Sequence, residues 1–254
     1  MTETPAPADR LMSLLVLLAT LATTAYYAFL ATGRIDGVSI GSISAKFPTV
    51  LTPAGYAFTI WFVIFACLLA FGLYQTGSSK LAMFRPIRII YILSCVFACG
   101  WLFFWQREMF AASLGMAVAL LATLISMVKW ARNAASARVA FYTKLPFGSF
   151  AGWMTVAVLV NFVVLLFIAR IELSPLGWTS IGIACIGVCT LAAVAVRFYW
   201  RNFLYPLSIA WAVAAVAINQ RLNTAVIVAC VISVIVCLLL STSFVMDLKG
   251  STYE

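Results

Sequence analysis

The chain has 254 residues, of which 65% are apolar and 9% charged, with a formal net charge of +9. Soluble domains carry roughly a quarter charged residues, so this composition excludes a soluble globule. The basic residues sit in short connections between apolar runs, where membrane topology explains them, and this excludes nucleic acid as the partner of the positive charge. The expected fold is therefore all-α, a polytopic transmembrane helix bundle whose main partner is the lipid bilayer.

A hydrocarbon core about 30 Å thick takes about 20 apolar residues in a helix. Residues 11–31 form the first such segment. The preceding stretch contains Glu3 and Asp9 with Arg10 as its one basic residue, a poor leader for a cleaved signal, so the segment reads as a retained span. The connection 32–52 is long, carries Gly33, Gly37 and Gly41, and scatters Ile35, Val38, Ile40, Ile43, Phe47, Val50 and Leu51 along its length. A loop this long is usually either functional or disordered, and its apolar content favours a lid that folds back onto the bundle. Further spans are expected at 54–75, 87–106, 109–130, 147–169, 175–196, 203–219 and 222–245, about eight in all. The run at 203–219 is the shortest and contains Pro206.

An even number of spans puts both termini on one side, together with the connections that hold Lys80, Arg85, Arg88, Lys129, Arg132, Arg138 and Lys144. Translocated loops avoid Lys and Arg, so both termini are expected to be cytoplasmic. A bacterial inner membrane is the expected home.

Every charged side chain falls at or beyond the end of a predicted span, which counts against a proton- or sodium-coupled pump. No histidine is present, and this removes the commonest metal ligand and neutral-pH acid–base group. The seven cysteines all lie in apolar runs, where thiols act as small hydrophobes. No nucleophile–base pair can be assembled, so no catalytic or metal residue is expected and an enzyme is unsupported.

Aromatic density remains. Tyr56, Phe58, Trp61 and Phe62 open the second span, Trp101, Phe103, Phe104 and Trp105 end the third, and Phe147, Phe150 and Trp153 open the fifth. Two readings stand side by side: a belt at headgroup depth, or a flat apolar ligand pocket walled by rings. Pro53 and Gly55 suit a turn into the second span. Asn161 is an amide in an apolar span and needs a hydrogen-bond partner, most simply as a tie between helices.

Three stretches resemble the TspO/translocator family, the tryptophan-rich sensory proteins. Pro53 to Trp61 (PAGYAFTIW) is similar to that family's Pro-Pro-Gly-Trp-x-Phe…Trp, with Ala54 and Tyr56 in place of the second Pro and the Trp. Ala98 to Phe104 (ACGWLFF) is similar to its Asn-x-x-Trp-x-x-x-Phe, with Ala98 in place of Asn. Pro146, Phe147, Trp153 and Asn161 follow its Pro-Tyr…Trp-x7-Asn order. The resemblance implies a five-helix membrane unit over 11–170 with loop 32–52 as its lid. Residues 171–254 would then add three further helices and a short tail.

It also implies a membrane sensor or carrier for a flat hydrophobic ligand: a porphyrin or other tetrapyrrole, a sterol or a pigment. Tyr56, Phe58, Trp61, Trp101 and Trp153 would line the site, with Asn161 as polar anchor and Pro53, Gly55 and Pro146 shaping the backbone. No cofactor would be required beyond a porphyrin or haem-like ligand, and a homodimer is implied. The alternative is a structural or assembly subunit of a larger membrane complex, suggested by small residues in the later spans such as Gly182, Ala193, Ala212 and Ala215.

Overall fold

The computed structural model describes residues 6–31, 40–220 and 222–243. Those residues are helical without strands: α1 (Pro7–Ala31), α2 (Ile40–Lys46), a 3-10 turn (Gly55–Thr59) leading into α3 (Ile60–Tyr74), a second 3-10 turn (Ser78–Lys80), α4 (Arg85–Gln106), α5 (Phe110–Ala131), α6 (Ala137–Ile168), α7 (Pro175–Trp200), α8 (Leu204–Asn219) and α9 (Thr224–Thr242). Seven of these segments are long and apolar enough to cross a membrane, counting Gly55–Tyr74 as one. The eighth expected span is α8, whose 16 residues reach about 24 Å at 1.5 Å per residue. It stands apart because it is short, not because it is polar.

Two expectations need correction. The fifth span does not begin at 147: α6 starts ten residues earlier and runs through Pro146. Arg138, Lys144 and the proline read as loop, yet the helix tolerates them. The proline removes the N–H that would bond to the carbonyl of Tyr142, and its ring crowds that same carbonyl. At Gly55, an added Cβ would meet nothing within 4 Å, so the turn into the second span does not depend on space there. Ala54 N–H donates to the carbonyl of Ala215 at 2.9 Å and fixes the chain beside Pro53. Of the expected lid, residues 32–39 lie outside the described residues, while Ile40, Ile43 and Leu51 are buried.

Grouped by packing, the chain forms two units whose boundary lies elsewhere than residue 170. The first comprises residues 1–43 and 59–147, the second 44–58 and 148–254. In the first, α1 packs on α3 and α4, and α4 on α5. Its core centres on Phe71, whose ring lies 4.9 Å from Phe147, 5.2 Å from Tyr91 and 5.5 Å from Phe84. The buried Tyr91 hydroxyl and Thr20 Oγ1 share a hydrogen bond of 2.7 Å, so the polar groups of two apolar helices satisfy each other.

Where these helices begin, a charged network closes the end of the first unit. Asp9 accepts two hydrogen bonds from Arg85, at 3.0 and 2.7 Å, and one from Arg88 Nη1 at 3.1 Å. Arg88 Nε donates to Gln75 Oε1 at 3.2 Å, and Gln75 Nε2 donates to the carbonyl of Ser13 at 2.7 Å. Asp9, Gln75 and Arg88 are all buried, so charges placed at helix ends by the sequence are internal to the protein.

In the second unit α7, α8 and α9 pack on one another. Gly148 and Gly152 on α6, four residues apart and so on one face, allow the closest approach: a Cβ at Gly148 would collide with the Asn202 side chain, and one at Gly152 with the carbonyl oxygen of Tyr205. Asn202 Oδ1 in turn accepts from the N–H groups of Leu204 and Tyr205 at 3.0 and 3.1 Å, capping the start of α8. Arg197, in the last turn of α7, donates to the carbonyl of Leu240 at 3.1 Å. It thereby occupies one of the carbonyls that the end of α9 leaves without an intrahelical partner.

Candidate functional site

The sequence-predicted site residues fall into two groups, one in each unit. Trp61 and Trp101 belong to the first. Trp61 opens α3 and Trp101 lies near the end of α4, so both sit at the same depth, and their rings lie 5.9 Å apart at 30°. Phe65 stacks on Trp61 at 5.3 Å and 23°, while Tyr27 of α1 lies 4.9 Å from Trp61 and 4.9 Å from Phe65. Trp61, Phe65 and Trp101 are buried; Tyr27 is half-buried. Such ring pairs contribute about 0.5–1.5 kcal/mol each beyond area burial.

One polar atom in this stack has no use within it. Trp101 Nε1 is buried without a hydrogen-bond partner among the described residues. An orphaned buried donor costs about 1–3 kcal/mol, a cost that a ligand acceptor would relieve. One turn further along α4, Trp105 Nε1 donates to the carbonyl of Ile40 at 3.3 Å. That bond holds the first turn of α2 against the same end of α4.

Tyr56, Phe58, Trp153 and Asn161 belong to the second unit. Phe58 meets Trp153 edge-on at 5.9 Å. Tyr56 meets Trp211 edge-on at 5.4 Å, and Trp211 Nε1 donates to the carbonyl of Ala57 at 3.0 Å. Asn161 is buried and donates to the carbonyl of Ala157, four residues back in its own helix, at 2.8 Å. One hydrogen of its amide is thus satisfied within α6. Pro53 lies three residues before Tyr56, and Pro146 lies inside α6, seven residues before Trp153.

A family model described as TSPO-like protein matches residues 13–243. The chain belongs to the TSPO-like family. The match continues past residue 170, where the motif resemblance stopped, and reaches into α9. No curated protein and no solved structure matches this TSPO-like chain. Membership makes it a multi-pass membrane protein of the sensor or transporter type.

Sequence reasoning missed Tyr27, Phe65 and Trp211. Depth would have found the first two: Tyr27 lies one turn from the end of α1, level with the start of α3 and the end of α4. The small residues that suggested an assembly subunit are largely engaged inside the second unit of this TSPO-like chain. Ala193, Ala212 and Ala215 are buried, and a Cβ on Gly182 would press on Val50 at 3.1 Å.

Proposed function

We propose that this TSPO-like chain is a membrane sensor or carrier that takes a flat hydrophobic ligand, of porphyrin, sterol or pigment type, against the ring stack of Tyr27, Trp61, Phe65 and Trp101. The observation that carries the reading is the pairing of near-parallel rings with the unsatisfied indole N–H of Trp101. A flat ligand matches the ring faces, and a carbonyl or carboxylate on its edge matches the donor. With no histidine in the chain, a porphyrin would be held by its faces and edge rather than by an imidazole on a central metal. The first turn of α2, which Trp105 holds one turn along α4 from Trp101, would serve as a lid on this site. Both termini face the cytoplasm in this reading.

The test is a titration of the full chain in nanodiscs with protoporphyrin, followed by tryptophan fluorescence. Saturable quenching is expected, weakened about fivefold in Trp101→Phe, which keeps a ring and removes one hydrogen bond. The same variant should unfold at a higher temperature without ligand, because the orphaned donor is gone. Absence of saturable quenching, or equal affinity in the variant, rejects the reading.

A further inference from the structure

The end of the first unit that holds Asp9 carries more positive charge than its carboxylates can meet. Contacts put the start of α1, the end of α3, the start of α4, the end of α5 and the start of α6 at one level. Asp9 binds Arg85 and Arg88, Phe84 lies 5.7 Å from Trp130, and Tyr74 stacks on Tyr142 at 4.1 Å and 10°. Between Arg10 and Lys144 the sequence puts eight basic residues at this end. Even if Glu3, Asp247 and Glu254 of the terminal segments all reached it beside Asp9, four carboxylates would face those eight cations. The opposite end of the same unit balances by sequence, with Arg34 and Arg107 against Asp36 and Glu108.

Half of the eight, Lys129, Arg132, Arg138 and Lys144, lie around the corner where α5 passes into α6. The corner is held by its own hydrogen bonds. Asn133 N–H donates to the carbonyl of Trp130 at 3.4 Å, Ala140 N–H to the carbonyl of Ser136 at 2.8 Å, and Val139 N–H to Ser136 Oγ at 3.3 Å. Lys129, Arg132 and Arg138 are exposed, while the ion pairs of this end join Asp9 to α4. Arg138, Phe141 and Lys144 follow one another at intervals of three, so they share a face of α6. Phe141, between the two cations, is 59% exposed.

Depth decides what this face meets. Tyr142 stacks on Tyr74, the last residue of α3, so residues 137–141 of α6 reach past the end of that span. Rings of Tyr74, Trp130 and Tyr142 at this level mark the headgroup zone, where aromatic side chains settle. Topology alone accounts for the sign of the charge here but not for an exposed phenylalanine between two cations. An occupant must bring an anion for the arginines and hydrocarbon for Phe141, and a phospholipid of negative headgroup brings both. In the orientation proposed above, this end meets the cytoplasmic leaflet, where anionic lipids are held. We propose that the α5–α6 corner is a docking surface for an anionic phospholipid, with Arg132 and Arg138 at its phosphate and Phe141 beside its acyl chains.

The experiment places the full chain in nanodiscs of equal phosphatidylglycerol and phosphatidylcholine and counts retained lipids by native mass spectrometry. Phosphatidylglycerol should be retained about twentyfold over phosphatidylcholine, the effect of two basic residues near an anionic surface. Arg138→Gln should lower that preference about fivefold, with the elution profile of the parent, since the side chain is exposed. Arg107→Gln removes the same charge at the balanced end and should leave the preference unchanged. Equal retention of the two lipids by the unsubstituted chain overturns the proposal without need of any variant, as does an equal loss in Arg107→Gln and Arg138→Gln. A preference that appears only after removal of residues 244–254 overturns it as well, by assigning the surface to the chain's own tail.

Discussion

Asp9 holds two guanidinium groups at once, and the two are not equivalent. The Arg85 side chain is 44% exposed while that of Arg88 is 2% exposed. Water can replace the carboxylate for Arg85 but not for Arg88. Asp9→Asn should therefore destabilise the protein by about 3–5 kcal/mol, the usual effect of leaving a buried charge without its partner. Arg85→Gln should cost about 1 kcal/mol or less, as for an exposed pair. Unfolding midpoints in mild detergent check both, and equal midpoints for the two variants would contradict this account. The sequence showed that these charges sit at helix ends. It did not show that they meet, because Asp9 and Arg88 are 79 residues apart and only packing brings them together.

At the scale of elements, helix contacts are governed by where a side chain is missing. Gly152 faces the Tyr205 carbonyl, whereas a Cβ on Gly187 of α7 would meet nothing within 4 Å. Gly152→Val should cost about 3 kcal/mol through overpacking. Gly187→Ala should stabilise by up to about 1 kcal/mol through helix propensity alone. Thermal unfolding that shifts the same way in both variants would refute this assignment.

Most helix positions were legible from apolar run length, since α4, α5, α7 and α8 begin within two residues of expectation. α6 was not, because charged residues and a proline look the same in a loop and in a helix that emerges from the membrane. Of the site, Trp61 and Trp101 were legible as a pair because each carries an aromatic signature at a helix end. Trp211 was hidden because it lies mid-helix in α8, six residues beyond Tyr205, rather than in a cluster of rings at a helix end.

For the whole molecule, the orientation turns on α8. Among its residues, Tyr205, Ser208, Ile209, Ala212, Val213, Ala215 and Val216 are buried, so much of its surface meets protein and need not match the lipid thickness. If α8 crosses, the span count is even and both termini share the cytoplasmic side. In a bacterial host, fusions at the C-terminus should then give fluorescent green fluorescent protein and inactive alkaline phosphatase. A phosphatase fusion after Gln220 should be active. The reversed pattern at the C-terminus would mean that α8 does not cross.

The Asp9 network also sets a schedule for biogenesis. Its carboxylate leaves the ribosome with α1, but the first arginine that pairs with it follows 76 residues later. At roughly 5–20 residues per second of synthesis, α1 waits on the order of 4–15 seconds with an unneutralised acid at its leading end. During that interval the acid is best accommodated at the lipid headgroups. Final seating of the first helix is therefore a step that α4 triggers when it arrives, and a ribosome stalled before Arg85 would leave α1 inserted but undocked.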